Sequence, residues 1–180
     1  MKKIMFNDKY LLTQEVLKGR KTQTRRILLP HTVHKLRNGN DYQEVIRLYS
    51  TYKVGEVVAV AQRYKDIALD LPVELAAELI KQPGWTNKMF VKADLMPNRI
   101  RITNIRIERL QDISEEDCLA EGIVDFESRI NKAHFYSITD ESATYGTAKK
   151  PYSLLIDKIS GKGTWTSNPY VFVYEFELIK

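Results

Sequence analysis

Apolar and polar residues alternate most clearly in two segments of the chain, and both segments are predicted to be β-strands. In residues 170–179 the aromatic and aliphatic side chains share one parity and the glutamates the other. In residues 99–110 the parity changes at Thr103 and Asn104, which indicates a β-bulge. An unbroken apolar run over 57–61 predicts a strand that is buried on both faces. The apolar face of the last strand consists of Tyr170, Phe172, Tyr174, Phe176 and Leu178.

Helical spacing of apolar residues predicts four helices. Gly19 ends the first of them, because glycine readily adopts the left-handed conformation that follows a helix. Ser114 has the side chain of an N-cap, and it precedes three acidic residues that suit a helix start. The four predicted helices cover residues 8–18, 71–82, the segment between Ser114 and Gly122, and 152–160.

Weaker patterns complete the assignment. Residues 21–29 are predicted to be extended, and 45–50 and 89–93 are short strand candidates. His31 lies in a segment that starts with proline and contains few apolar residues, which favours a polar loop. Residues 124–150 are polar and weakly patterned, which predicts a long surface excursion.

Together these elements predict an α+β fold. About six strands and a few short helices occur, and the strands do not alternate regularly with the helices. A small β-barrel decorated by short helices therefore fits better than a doubly wound sheet. The 180 residues are enough for one well-cored domain and few for two, so we expect a single domain over 1–180.

Basic residues are concentrated in one segment. Seven of the 28 Lys and Arg residues lie between Lys18 and Arg37, and no Asp or Glu occurs from Val16 to Asn40. The other 21 basic residues are outnumbered by the 23 acidic ones, so this segment alone accounts for the net charge of +5. A concentrated basic patch suits an anionic partner such as a nucleic acid or a phosphorylated metabolite. The alternative is a solvated basic surface without a partner.

The rest of the composition excludes several classes of protein. A single cysteine, Cys118, excludes an intramolecular disulfide and is typical of a reducing compartment. The three histidines lack the spacing of a zinc site, so we expect no metal and no other cofactor. The basic start of the chain has no apolar signal region, and no apolar run approaches the ~20 residues that span a bilayer. We therefore expect a cytoplasmic protein without a membrane partner.

The segment Gly19-x-Lys21-x-x-Thr24-x-Arg26 directly follows the first predicted helix. It resembles the signature of the ASCH family, a branch of the PUA-like β-barrel superfamily. The resemblance extends to an entry into the next barrel strand, the helix after the long strand and the closing strand, here residues 52–58, 113–123 and 171–178. It implies a small PUA-like (ASCH) barrel with insertions at 66–88 and 124–165.

The resemblance also implies a cleft between the motif and the following helix, which holds RNA or a nucleobase-like ligand. Some small members of the family are amidohydrolases that deacetylate N4-acetylcytidine with a Lys, a Thr and a Glu. The Lys and Thr correspond to Lys21 and Thr24 of the motif, and the Glu corresponds to Glu121 if residues 113–123 align with the family's helix. In that chemistry Thr24 is the nucleophile, Lys21 is its base and Glu121 is the proton donor.

Two physical conditions follow for this catalytic set. A lysine acts as a base only if burial or cationic neighbours lower its pKa, and the motif contains arginine neighbours. Lys21 and Thr24 would point to opposite faces of a regular strand. They can converge only if Lys21 lies in the turn after Gly19.

Binding requires a broader set of residues than catalysis. Trp85 lies in a predicted loop between Pro-Gly and Thr-Asn and is the aromatic side chain best placed to stack on a base. The predicted ligand-binding residues are Gly19, Arg20, Lys21, Arg26 and Trp85. We expect an RNA- or nucleoside-binding module. An amidohydrolase of N4-acylated cytosine nucleosides stays open as an alternative, and so does a metal-independent ribonuclease, for which the sequence identifies no general base.

Overall fold

A five-stranded mixed sheet is the centre of the structure, a computed structural model that describes residues 1–39, 41–139 and 143–179. The strands of the sheet occur in the order β1-β3-β4-β7-β2. β1 is parallel to β3, and every other neighbouring pair is antiparallel. These strands are β1 (Lys3–Ile4), β2 (Gln23–Ile27), β3 (Val57–Val60), β4 (Arg99–Arg109) and β7 (Tyr170–Ile179).

The long pair of β4 and β7 contains the predicted bulge. Ile102 pairs with Phe176 and Asn104 with Glu175, so Thr103 is the extra residue. The bulge keeps the isoleucines of both halves of β4 in the core although their parity changes along the sequence. The predicted strands at 57–61, 99–110 and 170–179 are confirmed within one residue at each end.

The predicted closed barrel of about six strands is wrong. Among the described residues, β5 (Val124–Glu127) and β6 (His134–Ser137) pair only with each other and form a separate hairpin. The five-stranded sheet stays open between its edge strands β1 and β2. β1 has only two residues, and beyond it the Arg26 guanidinium bonds the Met5 carbonyl oxygen at 2.7 Å in place of a backbone ladder. The α+β class is correct.

Helices pack around the sheet at several points. They are α1 (Leu12–Leu17), α2 (Pro30–Arg37), α3 (Tyr42–Tyr49), α4 (Val73–Leu79), α5 (Glu115–Ala120), α6 (Lys149–Ser160) and α7 (Thr164–Ser167). All four predicted helices are therefore present, with shifted ends. None of the helices in the described part of the chain combines the length and apolar character that crossing a membrane requires.

Three local predictions are wrong. The strand candidate 45–50 belongs to α3, because its apolar residues recur at helical spacing and bury Val45 completely. The predicted loop at His31 is the start of α2, whose first residue is the proline that the loop assignment relied on. Residues 89–93 contain short 3₁₀ turns and no strand. The predicted excursion 124–150 includes the β5–β6 hairpin, and its residues 140–142 lie outside the described part of the chain.

Buried apolar side chains form two clusters. The larger one lies between the sheet and the helices and includes residues of β4 and β7 as well as Tyr152 and Leu155 of α6. The smaller one is formed by Ala59, Ala61, Tyr64, Ile67, Leu79, Val91 and Met96. Most of the segment 66–88, predicted as an insertion, therefore packs around a local core that contacts the sheet at β3. The division into one domain with insertions stays a prediction.

Candidate functional site

A cleft of about 650 Å³ lies beside β2. Its walls come from the chain after β1, from β2, from the residue after α5 and from α6. The apolar part of the wall is Met5, Phe6, Leu12, Ile27, Leu110, Leu155, Ile156, Ile159 and Val171. The polar and charged part is Asn7, Asp8, Lys21, Thr24, Arg25, Arg26, Lys88, Glu121, Tyr152 and Ser160.

Lys21 reaches this cleft because it lies in a turn. Gly19 has a φ of 75°, which ends α1 in the left-handed conformation. The Lys21 N–H then bonds the Glu15 carbonyl oxygen at 3.0 Å, and β2 begins only at Gln23. Lys21 therefore lies outside β2. In a regular strand its side chain would have pointed to the face opposite Thr24. Lys21 thus lies in the turn after Gly19, which is the condition for its side chain to face the same cleft as Thr24.

The Lys21 ammonium is buried against Glu121. Its Nζ donates to Glu121 Oε2 at 2.6 Å and to the Glu121 carbonyl oxygen at 2.7 Å, and only 1% of the side chain is exposed. Burial lowers the pKa of Lys21, and Arg26 and Arg25 lower it further, while the Glu121 carboxylate opposes the shift. The net direction is the one that a lysine base requires.

Glu121 is held in place by its own helix end. The Ser114 hydroxyl accepts the Asp117 N–H at 3.0 Å, which confirms the predicted N-cap of α5, and Glu121 directly follows the last residue of that helix. Gly122 has a φ of 99°, and a Cβ at this position would lie 3.3 Å from Leu12 Cδ2 and 3.6 Å from Lys21 Cβ. Glycine thus allows the end of α5 to approach the turn that contains Lys21.

Arg25 fixes the second oxygen of the Glu121 carboxylate. Its guanidinium donates to Glu121 Oε1 at 3.1 Å, to Glu108 at 2.7 Å and to Asp117 at 2.7 Å, with 1% of the side chain exposed. Burial alone would lower the pKa of Arg25, but the carboxylates, above all that of Glu121, raise it well above its ordinary value. Arg25 was not a predicted site residue, because all three carboxylates lie far from it in sequence.

Thr24 lines the same cleft as the Lys21–Glu121 pair. It pairs with Tyr174 of β7 through the backbone and is 6% exposed. The three residues proposed for catalysis on the family resemblance therefore lie around one cavity.

The predicted binding residues divide into two groups. Lys21 and Arg26 line the cleft, and Arg26 has no acidic partner among the described residues. Arg20 turns away and bonds Glu15, 2.5 Å from Nε to Oε2, at a second, smaller cavity. Trp85 lies in a 3₁₀ turn, half-buried against the smaller apolar cluster, and does not line the cleft. Gly19 contributes the turn and no side chain.

Four of the seven basic residues between Lys18 and Arg37 contact carboxylates in the folded protein. Lys18 and Arg20 both contact Glu15, Lys21 contacts Glu121, and Arg25 contacts three carboxylates. The charge excess that is visible in the sequence is therefore divided into separate ion pairs. Arg26 is the cation of the motif that stays available to a ligand in the cleft.

Sequence reasoning missed the contribution of α6 to the cleft. Tyr152, Leu155, Ile156 and Ile159 follow the spacing of one helical face, and all four line the cavity. That spacing was a readable signal, and the phenol on an otherwise aliphatic face was a second one. The wall they form belongs to the segment 124–165, which was predicted only as an insertion.

A lysine from the other predicted insertion also reaches the cleft. Lys88 Nζ donates to Asp8 Oδ1 at 2.7 Å, to Thr13 Oγ1 at 3.2 Å and to the Phe6 carbonyl oxygen. Burial raises the pKa of Asp8, but the hydrogen bonds from Lys88 and Thr13 outweigh it and leave that pKa lowered. Within the described residues, no group of three or more His, Cys, Asp or Glu side chains is arranged to hold a metal ion.

The chain was compared with protein-family models, with curated proteins and with solved structures. No family model matches the chain, and no curated protein matches it. Among solved structures, the chain is similar to the ASCH domain from Lactobacillus crispatus JV V101, with 11% sequence identity and a TM-score of 0.41. The likeness covers 95% of this chain and 72% of that one.

Proposed function

We propose that the protein binds a small nucleobase-containing ligand, such as a modified nucleoside, in the cleft beside β2. The observation that carries the proposal is the buried, hydrogen-bonded Lys21–Glu121 pair in the wall of a cavity of about 650 Å³. Small-molecule sites are typically cavities of roughly 300–1,000 Å³ with apolar walls and a few convergent polar groups. A nucleoside is a ligand of this size, and a base presents both donors and acceptors to such groups.

The pairing of the basic residues favours a small ligand over an RNA strand. A protein that binds a phosphate backbone uses several available cations, and its affinity falls steeply with salt. In this protein Arg20, Lys21 and Arg25 are already paired with carboxylates. The predicted stacking residue Trp85 packs elsewhere. The expectation of an RNA or nucleoside partner is therefore narrowed to a ligand that fits inside the cleft.

The donors and acceptors of the cleft are suited to the edge of a base. Lys21 is a donor, the ionised Glu121 is an acceptor and the Thr24 hydroxyl serves as either. These groups lie among apolar side chains, where hydrogen bonds to a ligand are stronger than in water. Phe6 and Tyr152 provide aromatic surface in the same wall.

A second candidate function is hydrolysis of an N4-acylated cytosine nucleoside, and the placement of Lys21, Thr24 and Glu121 around one cavity favours it. In this reaction a proton first passes from the Lys21 ammonium to the Glu121 carboxylate. The Thr24 hydroxyl then adds to the acyl carbonyl carbon while its own proton moves to the neutral Lys21 amine. The carbon–nitrogen bond then breaks, and the N4 nitrogen takes a proton from the acid form of Glu121. Water hydrolyses the acyl-threonine ester, so the products are the cytosine nucleoside and a carboxylic acid.

Calorimetry and product analysis test both functions with one set of proteins. N4-acetylcytidine, cytidine and a single-stranded RNA oligonucleotide are titrated into the wild type, into Lys21→Ala combined with Arg26→Ala, and into Arg20→Ala. We expect the wild type and Arg20→Ala to bind the nucleosides and the double variant to lose them. Tighter, salt-sensitive binding of the RNA, or no nucleoside binding by the folded wild type, would contradict the proposed function.

Thr24→Ala separates binding from hydrolysis. Conversion of N4-acetylcytidine to cytidine is followed by absorbance and chromatography at high protein concentration. If the second function is correct, Thr24→Ala binds N4-acetylcytidine but does not convert it. A wild type that binds without turnover excludes the amidohydrolase and leaves the binding function in place.

A further inference from the structure

Tyr152 has a buried hydroxyl without a hydrogen-bond partner, and within the described residues no other buried side-chain nitrogen or oxygen is in this state. Only 1% of the residue is exposed. Native proteins pair the great majority of buried polar side-chain atoms, because desolvation without a replacement bond is costly. An unpaired hydroxyl of this kind therefore calls for a partner that is bound only part of the time.

The position of the ring connects this hydroxyl with the candidate site. Tyr152 lies in the first turns of α6 and lines the same cleft as Lys21, Thr24 and Glu121. An edge-on contact with Trp165, with ring centroids 6.1 Å apart and an interplanar angle of 81°, supports the ring from outside the cleft. The ring is thus held in the wall and its polar end stays without a bond.

The hydroxyl is a donor in this environment. Burial raises the pKa of Tyr152 well above its ordinary value, and the nearby Glu121 carboxylate raises it further. The phenol therefore keeps its proton at neutral pH. A ligand group that pairs with it must be an acceptor, and a carbonyl oxygen is the acceptor that an acylated base adds to the base itself.

We propose that the Tyr152 hydroxyl donates a hydrogen bond to the acyl carbonyl oxygen of the bound ligand and selects acylated over free bases. This inference rests on the proposed nucleoside-binding function and assigns to that site a residue that determines its specificity. If hydrolysis occurs, the same bond stabilises the negative charge that develops on that oxygen during addition of Thr24. The residue comes from the segment 124–165, so this segment supplies selectivity to the cleft.

Tyr152→Phe tests the role of the hydroxyl, and Tyr174→Phe is the matched control. Tyr174 is equally buried, but its oxygen accepts hydrogen bonds from Ser50 Oγ at 3.1 Å and from the Thr51 N–H at 3.2 Å. Removing that hydroxyl leaves the Thr51 N–H without its acceptor, whereas the Ser50 hydroxyl can still donate to the Tyr52 carbonyl oxygen at 2.7 Å. Removing the Tyr152 hydroxyl leaves no protein group unpaired among the described residues.

Thermal unfolding and calorimetry with N4-acetylcytidine and cytidine are measured on the wild type and both variants. We expect Tyr152→Phe to keep or raise the melting temperature, to lose about tenfold in affinity for N4-acetylcytidine and to bind cytidine as before, since an acceptor left unpaired in the cleft costs about that much. Tyr174→Phe should lower the melting temperature and keep the preference between the two nucleosides.

The outcomes separate this inference from the proposed function. Equal loss, or no loss, of affinity for both nucleosides in Tyr152→Phe overturns the inference and leaves the binding function standing. A drop in melting temperature as large as that of Tyr174→Phe shows a structural partner for the hydroxyl and also overturns the inference. A wild type that binds neither nucleoside overturns the proposed function and, with it, the acyl ligand named here.

Discussion

Two ion pairs that start from neighbouring residues show how differently the same contact is used in this protein. Arg20 bonds Glu15, five residues earlier, at 2.5 Å, and its side chain is 52% exposed. Lys21 bonds Glu121, 100 residues later, at 2.6 Å, and its side chain is 1% exposed. The distances are nearly equal, but one cation is solvated and the other is enclosed in a cleft.

The difference lies in desolvation. An ion pair with an exposed cation gains little, because water screens the pair and competes for the cation. A buried pair replaces the hydration of two charges, and either charge becomes costly when its partner is removed. The Arg20 pair thus connects the end of α1 to a residue of the same helix. The Lys21 pair instead connects the turn after α1 to the end of α5 in the wall of the cleft.

The largest effect is expected for Glu121→Gln. It leaves the buried Lys21 ammonium without its counter-charge, so the free energy of unfolding should fall by about 3–5 kcal/mol. Urea denaturation at pH 7 measures this change. The control is Glu177→Gln, which removes a partner of Arg101 from a pair whose side chains are both at least half exposed. Similar losses in the two variants would contradict the contrast between buried and exposed pairs.

A smaller loss of unfolding free energy is expected for Gly122→Ala, which places a methyl group beside the Lys21–Glu121 pair. The alanine takes a φ of 99° and brings its Cβ to 3.3 Å from Leu12, so we expect a loss of about 2–3 kcal/mol. Gly19→Ala is the matched variant beside the local pair, where a Cβ meets nothing within 4 Å. It should lose only the ~1–2 kcal/mol of left-handed strain. Denaturation curves that rank the two variants in reverse would refute the close approach at Gly122.

The buried pair should also be visible in the pH dependence of stability. The pKa of Lys21 is lowered in the folded protein, so between that value and its ordinary 10.5 the unfolded chain binds more protons. Within this window Lys21 should raise the free energy of unfolding with pH, by up to about 1.4 kcal/mol per pH unit. Below the lowered pKa, both states hold the proton and the slope disappears.

Lys21→Met isolates that contribution. Burial raises the pKa of Cys118 to about 12, which makes stability fall with pH above the ordinary value of 9.0, but this effect is common to both proteins. The difference between wild type and Lys21→Met should therefore change with pH only through Lys21. Parallel curves up to pH 10.5 would show that the Lys21 proton is not coupled to folding.

The smallest effect is expected for Arg20→Ala. With a half-exposed cation, the pair should contribute no more than about 1 kcal/mol, and the contribution should shrink in high salt. Unfolding curves in 50 mM and 1 M sodium chloride measure both quantities. A loss as large as that of Glu121→Gln would show that solvent exposure does not separate the two pairs.

The features that could be predicted from the sequence are local ones. The bulge at Thr103 was visible as a change of parity, the N-cap Ser114 as a residue type before acidic residues, and the turn after Gly19 as a helix end. The strand assigned to 45–50 failed because a six-residue apolar window fits a helix as well as a strand. The barrel failed because closure depends on whether distant edge strands pair, and no local pattern reports that.

By itself, the sequence determined the main strands, the α+β class and the end of α1 at Gly19, because these depend on side-chain periodicity and on residues close together in the chain. Only the tertiary structure decided that Glu121, Arg25 and Tyr152 share one cleft with it. It also decided that most of the basic segment is paired and that the Tyr152 hydroxyl is not. The physical reason is that burial and ion pairing are properties of the packed neighbours, which come from α5 and α6 about 100 residues or more beyond the motif.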